Sequence, residues 1–348
     1  MPPFKVSPLT KRGFGALIEG ASFKTLMESG SDLRRAWFQY RGLLVLRLGS
    51  HQLSAQQLVE LSRLFGQVET VVDSSKVDME VAPENPEARG VIRIGNTAGP
   101  DGKSNAVRSK AQVLDMGKED PLQYDTETHT PVWHTDSTYR EKPPIGSVLY
   151  CVKPPEDGGG TTIFSDAMAA FEALPPKEQE TLRSLDCLCS MTHHDSKIKR
   201  SNPLYPALLD DENRRANPTR RVPVVLRHPI VGRESLYGMN SSTYAVLPTG
   251  VSSSDGFDQA AIDCFELKGM EHDSVSRVWR EKLLPFATAR EFTTAVQWQP
   301  GDVALWDNRC TMHAATGFDM DRYSREMWRT TLVSDHPQAA SDVCGAAA

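Results

Sequence analysis

Short runs of hydrophobic positions, separated by polar and turn-forming residues, recur along this chain and predict many short strands after two early helices. Leu33, Trp37 and Tyr40 recur at helical spacing, and Ser54 with Gln57 forms a capping-box pattern at the start of a second helix. Apolar runs of strand length predict strands over residues 43–48, 91–94, 147–152, 222–226, 293–298, 303–306 and 327–333. Two later stretches, near 166–185 and 258–284, have the pattern of helices.

The order of these elements favours a mainly β architecture. Many short strands with long insertions are typical of a jelly roll or β-sandwich with helices packed outside it. Residues 70–130 are rich in polar, Gly and Pro positions and predict a long loop, of which 96–130 is expected to order when substrate binds. Because no repeat or linker divides the chain, 1–348 is expected to be one domain, with a core over about 10–335 and a flexible tail over 336–348.

Composition and charge narrow the class of protein. The chain has 39 basic and 45 acidic residues, a net charge of -6, so nothing attracts it to nucleic acid or an anionic membrane. Its apolar runs predict neither a signal peptide nor a transmembrane helix, and a cytoplasmic protein is expected. Six cysteines without a CxxC pair predict reduced thiols. The expected partner is a small-molecule substrate, and a homo-oligomer is compatible with the sequence.

The sequence WHTD indicates a metal site. His134 and Asp136 stand two residues apart, so on an extended strand both side chains project from one face and can bind the same ion. His313, much further along the chain, follows the strand predicted over 303–306 and is a third candidate ligand. Two histidines and one carboxylate form the facial triad of iron(II) oxygenases, which leaves positions for a bidentate oxoacid and for dioxygen.

The HxD pattern alone does not select this pair. His193, His194 and Asp195 spell HHD and satisfy the same pattern, with helix capping or surface exposure as the alternative role in both places. Arg325 and Arg329 strengthen the WHTD site, since they stand four apart on a predicted strand and share one face. If that face is interior, two buried guanidinium groups need anionic partners, either protein carboxylates or the carboxylate of an oxoacid.

Several motifs occur in an order that resembles one known family. They are YRGLLVLRL, LSAQQLVELSRLFGQVE, WHTDSTY, PPEDGGGTTIFSDAMAAFEALP, WDNRCTMHAA and SREMWRTT. Together they are similar to the taurine dioxygenase/TfdA (TauD/TfdA) family of 2-oxoglutarate oxygenases over nearly the whole chain. The resemblance implies a double-stranded β-helix, the cupin-like jelly roll, with iron(II) at one mouth of the barrel, held by His134, Asp136 and His313.

The same resemblance implies roles for residues around the metal. Arg325 is expected to bind the distal carboxylate of 2-oxoglutarate, and Thr162 to hydrogen-bond to it, with Thr161 as the alternative one residue away. Arg329 resembles a position that, in the sulfonate-using members, contacts the anionic group of the substrate. The implied reaction consumes 2-oxoglutarate and O2, releases succinate and CO2, and by default hydroxylates an unactivated C–H bond, while desaturation, ring closure or loss of a heteroatom group would use the same residues. The shared strand face of Arg325 and Arg329 indicates a small anionic substrate.

Two other functions are compatible with parts of this pattern. The same three metal ligands would serve a jelly-roll hydrolase that binds zinc or another metal, and a further candidate is a non-catalytic ligand-binding protein. Arg325 and Thr162 argue against a hydrolase, because a hydrolase does not need a pocket for an oxoacid. The complete set of three metal ligands argues against a non-catalytic protein, because such a site would be expected to have lost a ligand. For Arg329 the alternatives to a substrate anion are an ion pair with an acidic residue such as Asp166 or Glu172, or exposure to solvent where the strand end twists.

Overall fold

The structure of the chain is a computed structural model, which describes residues 3–49, 51–71, 79–98, 133–192, 218–238, 242–250 and 282–344. Its strands are β1 (Lys5–Pro8), β2 (Ala16–Glu19), β3 (Leu43–Arg47), β4 (Gly66–Val68), β5 (Ile92–Gly95), β6 (Gly146–Lys153), β7 (Thr162–Asp166), β8 (Leu185–Cys189), β9 (Arg220–Pro223), β10 (Val225–Arg227), β11 (Glu234–Leu236), β12 (Thr243–Pro248), β13 (Thr293–Val296), β14 (Asp302–Asp307), β15 (Thr311–Ala315) and β16 (Glu326–Asp335). Its α-helices are α1 (Phe23–Glu28), α2 (Gly30–Gln39), α3 (Ala55–Arg63), α4 (Ala167–Ala173), α5 (Pro176–Arg183), α6 (Leu284–Ala287) and α7 (Ala339–Cys344). None of the helices within these described ranges has the length and apolar character needed to cross a membrane.

Two sheets face each other and enclose the core that supports the site. The large sheet has the order β1-β2-β3-β14-β6-β16-β4, with β5 also paired to β16, and the smaller sheet has the order β13-β7-β15. Phe164 of β7 and Trp306 of β14 project into the space between the sheets, where they pack with Leu149, Cys151 and Met327. Short strands in two facing sheets with helices outside form a jelly roll, which confirms the predicted fold class.

Further layers cover the outer faces of both sheets. Helices α2 and α3 bury Trp37 and Leu58 against the face of the large sheet that carries Leu305. The predicted capping box at the start of α3 is present, with Ser54 Oγ accepting from the Gln57 N–H and the Gln57 side chain accepting from the Ser54 N–H. The outer face of the smaller sheet packs on α4 and on the β12-β8-β9 sheet, so apolar layers lie on both sides of the jelly roll.

Two elements differ from the pattern-based prediction, and in each case proline lies at the break. The run over 222–226 is not one strand, because the chain leaves the β8–β9 pair at Pro223, which has no N–H for the ladder, and enters the β10–β11 pair. The stretch over 166–185 contains two helices, α4 and α5, since a helix does not continue through Pro175–Pro176. Its end belongs to β8, which begins at Leu185.

The C-terminal residues 336–348, expected to be a flexible tail, include a docked helix. Helix α7 packs on α2, where Asp342 Oδ2 accepts a hydrogen bond from Arg34 Nε at 2.5 Å. This ion pair between two largely buried side chains gives the last helix a fixed position. The helix predicted near 258–284 and the loop predicted over 96–130 lie for the most part outside the described residues.

A buried ion cluster holds the turn between β14 and β15. Arg309 donates through Nε and Nη2 to the two carboxylate oxygens of Asp307, at 2.8 and 2.6 Å, and His228 Nε2 lies 2.9 Å from Asp307 Oδ2. Because His228 Nδ1 accepts from two backbone N–H groups, the ring proton is on Nε2 and is donated to Asp307. Burial raises the pKa of Asp307, but the adjacent Arg309 and His228 outweigh it and bring that pKa below its ordinary value. The turn that precedes His313 is thereby fixed.

Removing the arginine of this cluster is expected to destabilise the fold strongly. In Arg309→Met the Asp307 carboxylate stays buried without its main cation, which lowers the free energy of unfolding by roughly 3–5 kcal/mol. Arg233→Met is the matched control, because Arg233 pairs with Glu172 at the exposed surface and its loss costs about 0–1 kcal/mol. Urea unfolding measures both variants, and equal losses would contradict the role given to Arg309.

Candidate active site

His134 and His313 are held side by side by their own backbones. His134 N donates to His313 O at 3.0 Å, and His313 N donates to His134 O at 2.9 Å, as in an antiparallel ladder. Residues opposed in this way point to the same face, and the two imidazole ring centroids are 4.2 Å apart. On its other side β15 pairs with β7, where Phe164 stands opposite His313. The start of the WHTD segment is thereby attached to the smaller sheet.

Asp136 completes a group of three candidate metal ligands. Its Oδ1 lies 3.6 Å from His134 Nε2 and 3.8 Å from His313 Nε2, as expected if the two-residue spacing places Asp136 on the side of His134. Asp136 Oδ2 instead accepts a hydrogen bond from Ser147 Oγ at 2.8 Å. One ligand atom from each of the three residues therefore lies within 4.8 Å of the other two.

The protonation states of these groups suit metal binding. Burial raises the pKa of Asp136, but the nearby groups, first among them the positively charged Arg329, outweigh it and hold that pKa well below its ordinary value. Burial lowers the pKa of His313 to about 3, so its imidazole is neutral near pH 7. An ionised carboxylate and a neutral imidazole are the forms that donate electron pairs to a metal.

A second group with metal-ligand spacing, formed by His228, Asp307 and Cys310, belongs to the ion cluster at the β14–β15 turn. Both oxygens of Asp307 already accept hydrogen bonds from Arg309. Burial raises the pKa of the Cys310 thiol well above its ordinary value, and a protonated thiol is a poor metal ligand. The chemistry of this group is therefore that of a structural cluster.

Arg325 is a buried cation without a protein carboxylate. It is 6% exposed, and its backbone N–H donates to Asn96 Oδ1 at 2.7 Å. Within the described part of the chain no carboxylate pairs with its guanidinium, and Nε has no hydrogen-bond partner. Burial lowers its pKa to about 10, which leaves it charged at pH 7. Gly160 allows this placement, because a Cβ on Gly160 would stand 3.0 Å from Arg325 Cδ.

Thr162 and Thr161 differ in the face of the sheet that they occupy. Thr162 has the same strand parity as Phe164, whose ring centroid lies 6.1 Å from that of His313, whereas Thr161 has the opposite parity. Trp298 Nε1 donates to Thr162 Oγ1 at 3.0 Å, and this leaves the hydroxyl hydrogen of Thr162 free to donate to another acceptor. The geometry therefore favours Thr162 as the donor toward the metal side.

Arg329 has a protein partner that sequence reasoning did not foresee. Its Nη1 lies 3.5 Å from Asp136 Oδ1, while its buried Nε has no hydrogen-bond partner within the described residues. Asp166 and Glu172, the partners considered from the sequence, bond to other arginines instead. Arg329 therefore lies beside the candidate metal ligands, and its only acid contact within the described ranges is weak in geometry.

Sequence reasoning also missed two residues that touch the site. Ser147 donates a hydrogen bond to Asp136. The feature of the sequence that could have indicated this residue is a hydroxyl at the start of an apolar run predicted as a strand. Trp298 bonds to Thr162, and its signal was an indole N–H, which needs an acceptor when it is buried. The rival HHD residues, 193–195, lie outside the described residues.

Comparison with known proteins identifies relatives over almost the full length. The model of the family described as Taurine catabolism dioxygenase TauD, TfdA family matches residues 5–331. An (S)-phenoxypropionate/alpha-ketoglutarate-dioxygenase of Sphingobium herbicidovorans is 27% identical over 337 residues, which is 96% of either chain. Pentalenolactone F synthase of Streptomyces arenae is 26% identical over 338 residues, again 96% of either chain.

Solved structures agree on the fold. AAD-2 in complex with Mn(II) and N-oxalylglycine superposes with a TM-score of 0.66 at 22% identity, covering 95% of this chain and 97% of the other. The family match decides against the hydrolytic and non-catalytic alternatives. The chain belongs to the TauD/TfdA family and is a 2-oxoglutarate-dependent dioxygenase that uses Fe(II) and O2.

Proposed function

We propose that this dioxygenase hydroxylates a small organic anion at an iron(II) held by His134, Asp136 and His313. The observation that carries the proposal is that these three ligand atoms, within 4.8 Å of one another, lie together with the buried guanidinium of Arg325 and the partly buried guanidinium of Arg329. A metal ion would bind the three ligand atoms, and two anionic ligands would pair with the two arginines. A metal-free binding site would not require both arginines, and neither would a water-filled hydrolytic site.

The three proposed metal ligands fit iron(II). Two imidazole nitrogens and one carboxylate oxygen on one side of the ion leave positions for a bidentate oxoacid and for dioxygen. When bound, iron(II) supplies the activation of O2 that couples the oxidation of 2-oxoglutarate to succinate and CO2 with oxidation of the substrate. The residues around it orient the ligands and exclude water, as Trp306 does with its ring centroid 4.5 Å from that of His313.

Arg325 and Thr162 are the proposed partners of the distal carboxylate of 2-oxoglutarate. A buried guanidinium without an acid partner is costly unless a ligand carboxylate pairs with it, and such pairs are strong when water is excluded. Thr162 Oγ1 already accepts from Trp298, so its hydroxyl hydrogen can be donated to the same carboxylate. Together they would bind 2-oxoglutarate at its far end while its oxoacid end meets the metal.

Arg329 is the proposed partner of the anionic group of the substrate. It lies next to Asp136 Oδ1, the oxygen that faces both imidazoles, so its charge is close to the position of the metal. With Oδ1 holding iron(II), its contact with Arg329 would be weaker and the guanidinium would be available to another anion. The phenoxypropionate named for one relative is a carboxylate, which is the chemical class we propose for this substrate.

Each of the three metal ligands is expected to be necessary for iron binding. His134→Ala, Asp136→Ala and His313→Ala leave two protein ligands, which rarely hold iron(II) against water, so iron occupancy should fall to roughly a tenth of the wild-type value or less. Elemental analysis after anaerobic loading measures the occupancy, and succinate release should be lost in parallel. His193→Ala and Asp195→Ala are the controls. Loss of iron from the controls but not from the WHTD variants would mean that the metal site is elsewhere.

Gly160→Ala is expected to weaken binding of 2-oxoglutarate. A Cβ on Gly160 would stand 3.0 Å from Arg325 Cδ and 3.1 Å from Arg325 Nε, so the guanidinium must move. Misplacing one partner of a charge-assisted pair worth roughly 2–5 kcal/mol should raise the dissociation constant about tenfold or more. Anaerobic calorimetry with the iron-loaded protein measures this constant.

Gly158→Ala is the matched control for that variant. Gly158 has φ +75° and Gly160 has φ +67°, so both substitutions carry the same left-handed backbone cost of about 1–2 kcal/mol. A Cβ on Gly158 meets only Gln297 Nε2, at 3.4 Å, and leaves Arg325 undisturbed. If both variants bind 2-oxoglutarate equally well, Arg325 does not hold its carboxylate.

Arg329→Ala is expected to raise the KM for the substrate while iron occupancy and 2-oxoglutarate affinity stay close to the wild-type values. Losing a charge pair that the bound substrate shields from water costs roughly 2–5 kcal/mol, or about 30-fold to several-thousand-fold in KM. The slow decarboxylation of 2-oxoglutarate without substrate should continue, because it does not need the substrate anion. A screen of carboxylates, sulfonates, sulfate esters and neutral analogues for succinate release makes the comparison. A neutral substrate turned over equally by wild type and variant would rule out this role.

A further inference from the structure

We propose that Ser147 is a positioning residue that directs Asp136 Oδ1 toward the metal by holding Asp136 Oδ2. This inference rests on the proposed function, since it concerns the carboxylate that we assign to iron. Ser147 lies in β6, is fully buried, and its Oγ is 2.8 Å from Asp136 Oδ2. A carboxylate only accepts hydrogen bonds, so the serine hydroxyl donates and the bond is charge-assisted.

The register of the large sheet explains why Ser147 reaches Asp136. Ser147 stands opposite Trp306 of β14 and opposite Thr331 of β16, and cross-strand partners share one face. Trp306 packs against His313, so this face of β6 is the one turned toward the candidate metal ligands. Strand β6 therefore places the Ser147 hydroxyl in the site, and the hydrogen bonds of β6 to β14 and to β16 fix its position.

The two oxygens of Asp136 have different partners. Oδ1 lies close to the Nε2 atoms of His134 and His313, whereas Ser147 is the hydrogen-bond donor to Oδ2 among the described residues. A carboxylate held in this way binds a metal through one oxygen. This matters for the reaction, because three metal positions have to stay open, two for the oxoacid and one for dioxygen. A second carboxylate oxygen on the metal would occupy one of them.

Cobalt(II) titration of the metal-free full-length protein, without oxygen, tests the inference. Residues that orient metal ligands typically contribute 10- to 100-fold to affinity, and we expect the cobalt(II) dissociation constant of Ser147→Ala to rise about tenfold. Ser147→Cys fills the same space with a weak donor and should lie between wild type and Ser147→Ala. Visible absorption of the cobalt(II) protein reports the coordination, and we expect its d–d bands to change in Ser147→Ala.

Ser165→Ala is the matched control, since Ser165 is equally buried but its hydroxyl donates to the backbone oxygen of Ala287. This variant should keep the wild-type cobalt(II) affinity and spectrum, and thermal unfolding of the metal-free proteins shows that each variant is folded. If Ser147→Ala and Ser147→Cys bind cobalt(II) within twofold of wild type while Asp136→Ala does not bind it, the role of Ser147 is wrong and the metal site stands. If Asp136→Ala also keeps full affinity, the proposed function itself fails.

Discussion

The pair of backbone hydrogen bonds between His134 and His313 is the constraint on which the site depends. It joins two segments that lie far apart in the sequence, and it does so with the most regular bond that a protein can make. The geometry of an antiparallel pair then fixes where both imidazoles point, without a contribution from the side chains themselves. The position of the Asp136 side chain depends on the same pair of bonds, because a spacing of two residues places it on the side of His134.

The surroundings of the site add rigidity in two different ways. On one side the jelly-roll core places aromatic rings against His313, with Trp306 at 4.5 Å and Phe164 at 6.1 Å between ring centroids. On the other side the buried cluster of Asp307 and Arg309 fixes the turn from which β15 begins. Apolar packing resists displacement of the ring, and the ion cluster resists displacement of the backbone. A candidate metal ligand held in both ways would be pre-organised before an ion binds.

Patterns that depend on neighbours in the sequence were predicted well. The capping box of Ser54 and Gln57 and the two-residue spacing of His134 and Asp136 both concern short segments, where local geometry leaves few alternatives. The helical stretch expected near 166–185 is helical but divided in two, because a pair of prolines outweighs the apolar periodicity around it.

Contacts that depend on strand register could not be predicted from the residues alone. Ser147 reaches Asp136 because β6 lies between β14 and β16 in one particular alignment, and a shift of one residue would turn its hydroxyl to the opposite face. The sequence placed Arg329 on the same strand face as Arg325, but its contact with Asp136 depends on where the turn after His134 lies relative to β16, which no local pattern predicts. His313 was a candidate third ligand from its place after a predicted strand, and the family resemblance then implied its pairing with the WHTD segment, since the spacing between them in the sequence carries no geometric information.

The charges of the site favour a particular combination of ligands. Within the described residues Asp136, Arg325 and Arg329 together carry roughly one positive charge at pH 7, and iron(II) would raise this to about three. A doubly charged 2-oxoglutarate lowers the sum to about one, and a substrate with a single negative charge brings it close to zero. Uncompensated charge is costly where water is excluded. On this count a neutral substrate would leave one cation without a counter-charge, so the groups that we propose to bind the metal and the oxoacid would also favour a monoanion.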